Sequence, residues 1–173
     1  MRQSSRMASA RKPVIVRKFS KDWQGGYAGA DDLGGSAELV ILDPSGKVIR
    51  IPWDEVKWVC SVRELASSDS ASPERLLRKR FSVRPRHAGI WLRISLTDGD
   101  EIEGLAANDR SLIEGVGLLI IPPDTRSNTQ RLYIPRQSIQ SLELLGVIQP
   151  PGGKSRELAE RQTKLFTSEL EAE

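Results

Sequence analysis

Two stretches of the chain read alike. Ile51-Pro52-Trp53-Asp54-Glu55-Val56-Lys57-Trp58-Val59 and Ile134-Pro135-Arg136-Gln137-Ser138-Ile139-Gln140-Ser141-Leu142 place apolar residues in matching positions around the same proline step. A β-branched run precedes each, and a polar turn separates run from anchor: Asp43-Pro44-Ser45-Gly46 in the first, residues 122–128 in the second. A segment repeated within one chain is the mark of a duplicated structural unit. In a chain of 173 residues it predicts two lobes of roughly 55–60 residues. Each lobe is marginal alone at that size, so the two are expected to pack on each other. The repeat constrains architecture and exposes no chemistry.

Strand signals fit this plan. Residues 14–19, 37–42, 48–51 and 56–63 are rich in β-branched and aromatic residues, with Trp58, Cys60 and Val62 alternating onto one face of the last run. Gly25, Gly26, Gly29, Gly34 and Gly35 between the first two runs suit turns and bends of a curved sheet. Trp53-Asp54-Glu55 reads as one turn of 3₁₀ helix. The second half repeats the pattern with strands over 90–96, 101–107, 116–121, 131–134 and 139–147, its first hairpin turning at Thr97-Asp98-Gly99-Asp100. Ile51, Val56, Ile134, Ile139 and Leu142 are expected to be buried and equivalent between the lobes. The fold class expected is mainly β: two tandem small antiparallel barrels followed by a C-terminal α-helix.

The divisions follow from composition. Residues 1–12, Ser/Arg-rich, read as a disordered basic arm; residues 13–66 and 89–149 are the two barrels. The Ser-rich stretch 67–72 opens a linker, 67–88, in which Pro73 begins a short basic helix to about Arg80. After Pro150-Pro151-Gly152-Gly153, Ser155 caps a helix whose Leu158, Leu165, Phe166 and Leu170 recur near helical spacing. Such a helix is marginal alone and needs its own barrel or a partner.

Composition narrows the function classes. The net charge of +3 permits an anionic partner without requiring one. A single cysteine excludes an intrachain disulfide and fits a reducing compartment, so a cytoplasmic location is expected. No apolar run approaches the roughly 20 residues that span a bilayer. A single histidine and a single cysteine in different segments provide neither the usual zinc ligand sets nor an evident Cys–His pair. No phosphate-cradling glycine loop is present. The expectation is a protein without catalytic residues, metal or cofactor.

Two family resemblances sharpen this. Leu96-Thr97-Asp98-Gly99-Asp100-Glu101-Ile102-Glu103-Gly104 and the segment from Tyr133 to Leu142 resemble the two motifs of Sm-like barrels, and five short strands with a helical turn before the last is the plan of Sm-like and SH3-like folds. The chain also resembles bacterial two-barrel proteins for which no activity is implied. Arg80-Phe81-Ser82-Val83-Arg84, followed by Asp109-Arg110-Ser111-Leu112-Ile113-Glu114-Gly115, resembles the R-x-x-x-R and [D/N]-x-S-x-x-G elements with which PilZ domains hold cyclic di-GMP. That resemblance implies ligand-binding roles for Arg80, Arg84, Asp109 and Ser111, although Glu114 stands where the pattern has glycine.

The basic segment carries Arg78, Lys79, Arg80, Arg84 and Arg86 with no acidic residue among them. It reads either as a solvated face or as a grip on an anion, a nucleic-acid backbone included. The leading expectation is an interaction or adaptor module, meeting a protein partner or itself through a barrel edge or the C-terminal helix. Nucleic-acid binding and cyclic di-GMP binding are the alternatives.

Overall fold

The computed structural model describes residues 10–65, 77, 79–124 and 126–149. They form ten strands: β1 (Lys12–Lys18), β2 (Trp23–Ala28), β3 (Glu38–Leu42), β4 (Val48–Pro52), β5 (Val56–Val62), β6 (Gly89–Leu96), β7 (Glu101–Ala106), β8 (Gly117–Ile121), β9 (Thr129–Pro135) and β10 (Ile139–Ile148). All pairings are antiparallel.

The strands make one open sheet in the order β10-β6-β7-β8-β9-β5-β1-β2-β3-β4. This corrects the expectation of two separate barrels. The two halves do repeat one order, last-first-second-third-fourth, but β5 of the first half pairs with β9 of the second, Val59 opposite Tyr133 and Cys60 opposite Leu132. The pairing of β5 with β9 joins the two halves in one continuous ladder.

The duplication holds in detail. Each Ile-Pro step ends a fourth strand and enters a 3₁₀ turn, with Pro52 at φ −57°, ψ 136° and Pro135 at φ −58°, ψ 139°. The ladder from β5 to β1 slips between Arg17/Trp58 and Lys18/Val56. The ladder from β10 to β6 slips between Ser95/Ser141 and Leu96/Ile139. Lys57 and Gln140, extra residues at corresponding bulges, are therefore equivalent.

Gly26 and Gly104 also correspond. A Cβ on Gly26 would lie 2.6 Å from the Leu42 carbonyl oxygen, and one on Gly104 3.0 Å from that of Ile121. Each second strand bends hard against the third, and only glycine allows that approach. The glycines between the first two strand signals were expected in turns and bends of a curved sheet; Gly26 makes such a bend, but within β2, a strand not read from the sequence.

Two cores flank the central strands. One gathers Leu92, Ile94, Leu96, Ile102, Leu118 and Ile134 of the second half together with Ile15, Trp58, Cys60 and Val62 of the first. The other holds Val14, Val16, Leu39, Ile41, Ile51 and Val59, closed by Tyr133 from β9. β5 is thus buried on both faces, as a strand between two packed layers must be. Trp58, Cys60 and Val62 do share a face, but it enters the core of the other half. Ile51, Val56 and Ile134 are buried as expected; Ile139 is half-buried, and Leu142 is 38% exposed.

Polar contacts lock the joint. Ser138 Oγ donates to the Val56 carbonyl at 2.9 Å, and Thr97 N–H to the Ser138 carbonyl at 3.0 Å. The bulge aims Lys57, 5% exposed, at the β6–β7 turn, where its ammonium meets Asp98 at 2.5 Å and also Asp100. Asn128 accepts from the Arg63 and Glu64 amides through Oδ1 and donates through Nδ2 to the Glu64 carbonyl at 2.8 Å. Trp53 and Tyr133 pack with ring centroids 5.7 Å apart.

The helices expected over 73–80 and after residue 153 fall wholly or mostly outside the described residues. Of the described linker residues, 79–88 contain no helix and Leu77 lies in a 3₁₀ turn. Lys12, assigned to the basic arm, belongs to β1.

Candidate functional site

The last strand is where the repeat runs out. β10 pairs with β6 along one edge, and among the described residues its other edge borders no strand. Leu142, Leu144 and Val147 stand opposite Ile94, Leu92 and Ile90. Directly opposed residues project from the same face of a sheet, and these three partners are buried core residues. Yet Leu142, Leu144 and Val147 are 38%, 60% and 44% exposed. They form an apolar stripe on the core-facing side of the sheet that no described residue covers. In the first half the residue equivalent to Leu142 is Val59, and it is fully buried in the core that Tyr133 closes.

Beside this strand runs the basic segment, held as an extended strap on the opposite face of β6 and β7. Glu103, only 3% exposed, projects from β7 and accepts from the Phe81 amide at 3.1 Å and Trp91 Nε1 at 2.8 Å. Phe81 then packs edge-on against Trp91 at 5.8 Å. A buried carboxylate with these donors, and with Arg80 Nε 3.6 Å away, is satisfied. Its job is to fasten the strap.

The site residues read from the sequence divide accordingly. Arg78 lies outside the described residues. Lys79 is paired with Asp124 at 3.4 Å, and Arg80 with Glu101 and Glu103. Arg84 donates to the Val147 carbonyl at 3.2 Å, tying the strap to the end of β10. Arg84 and Arg86 face a cleft of about 600 Å³ that also receives His87 and, from the β8–β9 loop, Arg126. Among the described residues Arg84, Arg86 and Arg126 carry no ion pair.

Asp109 and Ser111 are not brought to this cleft. They follow the C-terminal end of β7, whereas Arg80 reaches Glu101 and Glu103 in its N-terminal half. Asp109 accepts from the Ser111 amide at 2.9 Å and the Ser111 hydroxyl at 2.5 Å, and these bonds hold its carboxyl below the usual range. Glu114 pairs with Arg110 at 2.9 Å. The loop is fastened by Arg136, which donates to the carbonyls of Ser111, Leu112 and Gly115.

Cys60 is buried, and burial pushes its thiol up to about 12, so it is a neutral packing group at physiological pH. Among the described residues no three His, Cys, Asp or Glu side chains converge as a metal site would require, and no helix is long and apolar enough to cross a membrane.

Sequence reasoning missed Arg126, Glu103 and the β10 stripe. The stripe had a signal. Leu142, Leu144 and Val147 recur as apolar residues along the strand-like run 139–147.

No curated protein and no solved structure matches the chain. One family model does, over residues 10–146, which takes in all of β1–β9 and most of β10. The chain belongs to the family of unknown function DUF6982.

Proposed function

We propose that the protein is a non-enzymatic interaction module whose docking surface is β10. One observation carries this reading: Leu142, Leu144 and Val147 lie on the core side of the sheet and are exposed. Contiguous apolar surface of this kind marks interaction sites, and an unpaired strand edge beside it offers backbone donors and acceptors to an added segment. The cationic strap along the same strand favours a partner that is apolar and acidic. The recurring strand order supports an Sm-like or SH3-like descent for each half, with the second half's last strand released for binding.

The test compares proteins retained from a lysate of the source organism by immobilised wild type and by Leu144→Glu. An exposed position tolerates the charge, so the melting temperature is expected to stay within about 2 °C, the shift a surface change of about 0.5 kcal/mol produces in a chain of this size. Specific partners are expected to fall at least tenfold on the variant. Equal retention by both proteins removes β10 as the docking surface.

A second reading rests on Arg84, Arg86 and Arg126 sharing one cleft without ion pairs. It is an anion grip suited to a nucleic-acid backbone. Fluorescence anisotropy with single-stranded RNA or DNA is then expected to show affinity that falls as salt rises. The slope of log affinity on log salt would shrink by about 0.7 for each arginine replaced by alanine. Cyclic di-GMP serves as a second ligand in the same assay; the separation of Asp109 from Arg80 counts against it.

A further inference from the structure

We infer that the apolar stripe of β10 is covered by the chain's own segment 154–173, which competes there with any external partner. The inference rests on the docking reading above and names a resident occupant for that surface.

A second copy is the obvious rival, because β10 and β4 are the free edges of a sheet whose interior already contains the matching joint, β5 on β9. Repeat equivalence shows why that joint does not propagate. In the internal joint Trp53 packs on Tyr133, and Cys60 enters the neighbouring core. The equivalent residues at the free edges are Arg136, Arg50 and Glu143. Continuing the sheet head to tail would set Arg136 against Arg50 and carry Glu143, now paired with Arg93 at 2.8 Å, over an apolar neighbour. Charges at an exposed strand edge are a known guard against such pairing. The edge is blunted against copies of itself while the stripe beside it stays apolar.

Segment 154–173 has the opposite character. Pro150-Pro151-Gly152-Gly153, a sequence that favours turns, directly follows the stripe. Leu158, Leu165, Phe166 and Leu170 then recur near helical spacing. As a helix, residues 158–170 span about 18 Å, and the strand from Leu142 to Val147 about 17 Å, so apolar face and stripe match in length.

The test uses the full chain. Leu144→Cys places a thiol in the stripe, and the buried Cys60 does not compete for a maleimide. Labelling of Leu144→Cys is expected to be at least tenfold slower than in the same chain carrying Leu165→Glu and Phe166→Glu. Those two changes lie outside the sheet and leave its circular dichroism unchanged. The difference is expected to be independent of protein concentration. Equal rates in the two proteins overturn the inference. Protection that appears only as concentration rises assigns the stripe to a second copy and overturns it too. Either failure leaves the docking reading standing or falling on the Leu144→Glu lysate comparison, which detects a partner rather than coverage.

Discussion

Replacing Trp58 with alanine is expected to lower the unfolding free energy by about 3–5 kcal/mol, the cost of removing a large aromatic side chain from a packed core. Trp58 is fully buried, and it sits on a strand of the first half while packing among residues of the second. The loss should therefore appear in one transition, with far-UV circular dichroism and tryptophan fluorescence moving together in urea. If the halves were independent, the wild type would unfold in two steps and the variant would shift only one of them. Trp58→Phe is expected to cost less than Trp58→Ala. It keeps much of the volume and removes an indole N–H that has no acceptor among the described residues.

Lys57→Met is expected to cost about 2–3 kcal/mol at neutral pH, less than the 3–5 of a fully buried pair because Asp98 and Asp100 stay partly solvated. The variant leaves two carboxylates side by side without their cation. The pH dependence identifies the cause. Burial pushes the Asp98 carboxyl up, but the Lys57 hydrogen bond, the Asp100 amide and the Lys57 charge outweigh it and hold the group below its ordinary value. A carboxyl depressed in the folded state contributes stability that is fully present above its unfolded value, about 3.9. That contribution is lost as pH falls through the lower folded value. The gap between wild type and Lys57→Met in urea midpoints is thus expected to be constant from pH 7 to about 5 and to close below about 4. A gap that does not narrow as pH falls below about 4 would assign the loss to packing of the lysine stem over Trp58, where the ammonium lies 4.9 Å from the ring.

The proposed binding surface was only half legible in the sequence. Lys79, Arg80, Arg84 and Arg86 stood out as a run of charge, but charge along a sequence does not say which cations will find acids. Glu101, Glu103 and Asp124, from β7 and the β8–β9 loop, claim Lys79 and Arg80 and leave Arg84 and Arg86 to be joined by Arg126. Asp109 and Ser111 matched a motif by spacing, yet the length of β7 lies between them and the arginines. Leu142 was expected to be buried as an apolar position of the repeat; its counterpart Val59 is buried, but Leu142 is 38% exposed.

The identity of every strand but β2, the two Ile-Pro steps, the glycine-bent second strand of the second half and the buried, inert Cys60 follow from the sequence alone, because each depends on local steric rules or on period-two alternation. The repeat likewise dictates that both halves use one strand order. How the halves join depends on contacts between residues far apart in the chain. Val59 pairs with Tyr133, Lys57 with Asp98, and Val56 with Ser138 across the whole linker. No local pattern encodes which edge of one half meets which edge of the other. Tertiary structure made that choice by burying both faces of β5. The same choice left β10, its counterpart in the repeat, with an apolar face that no described residue covers.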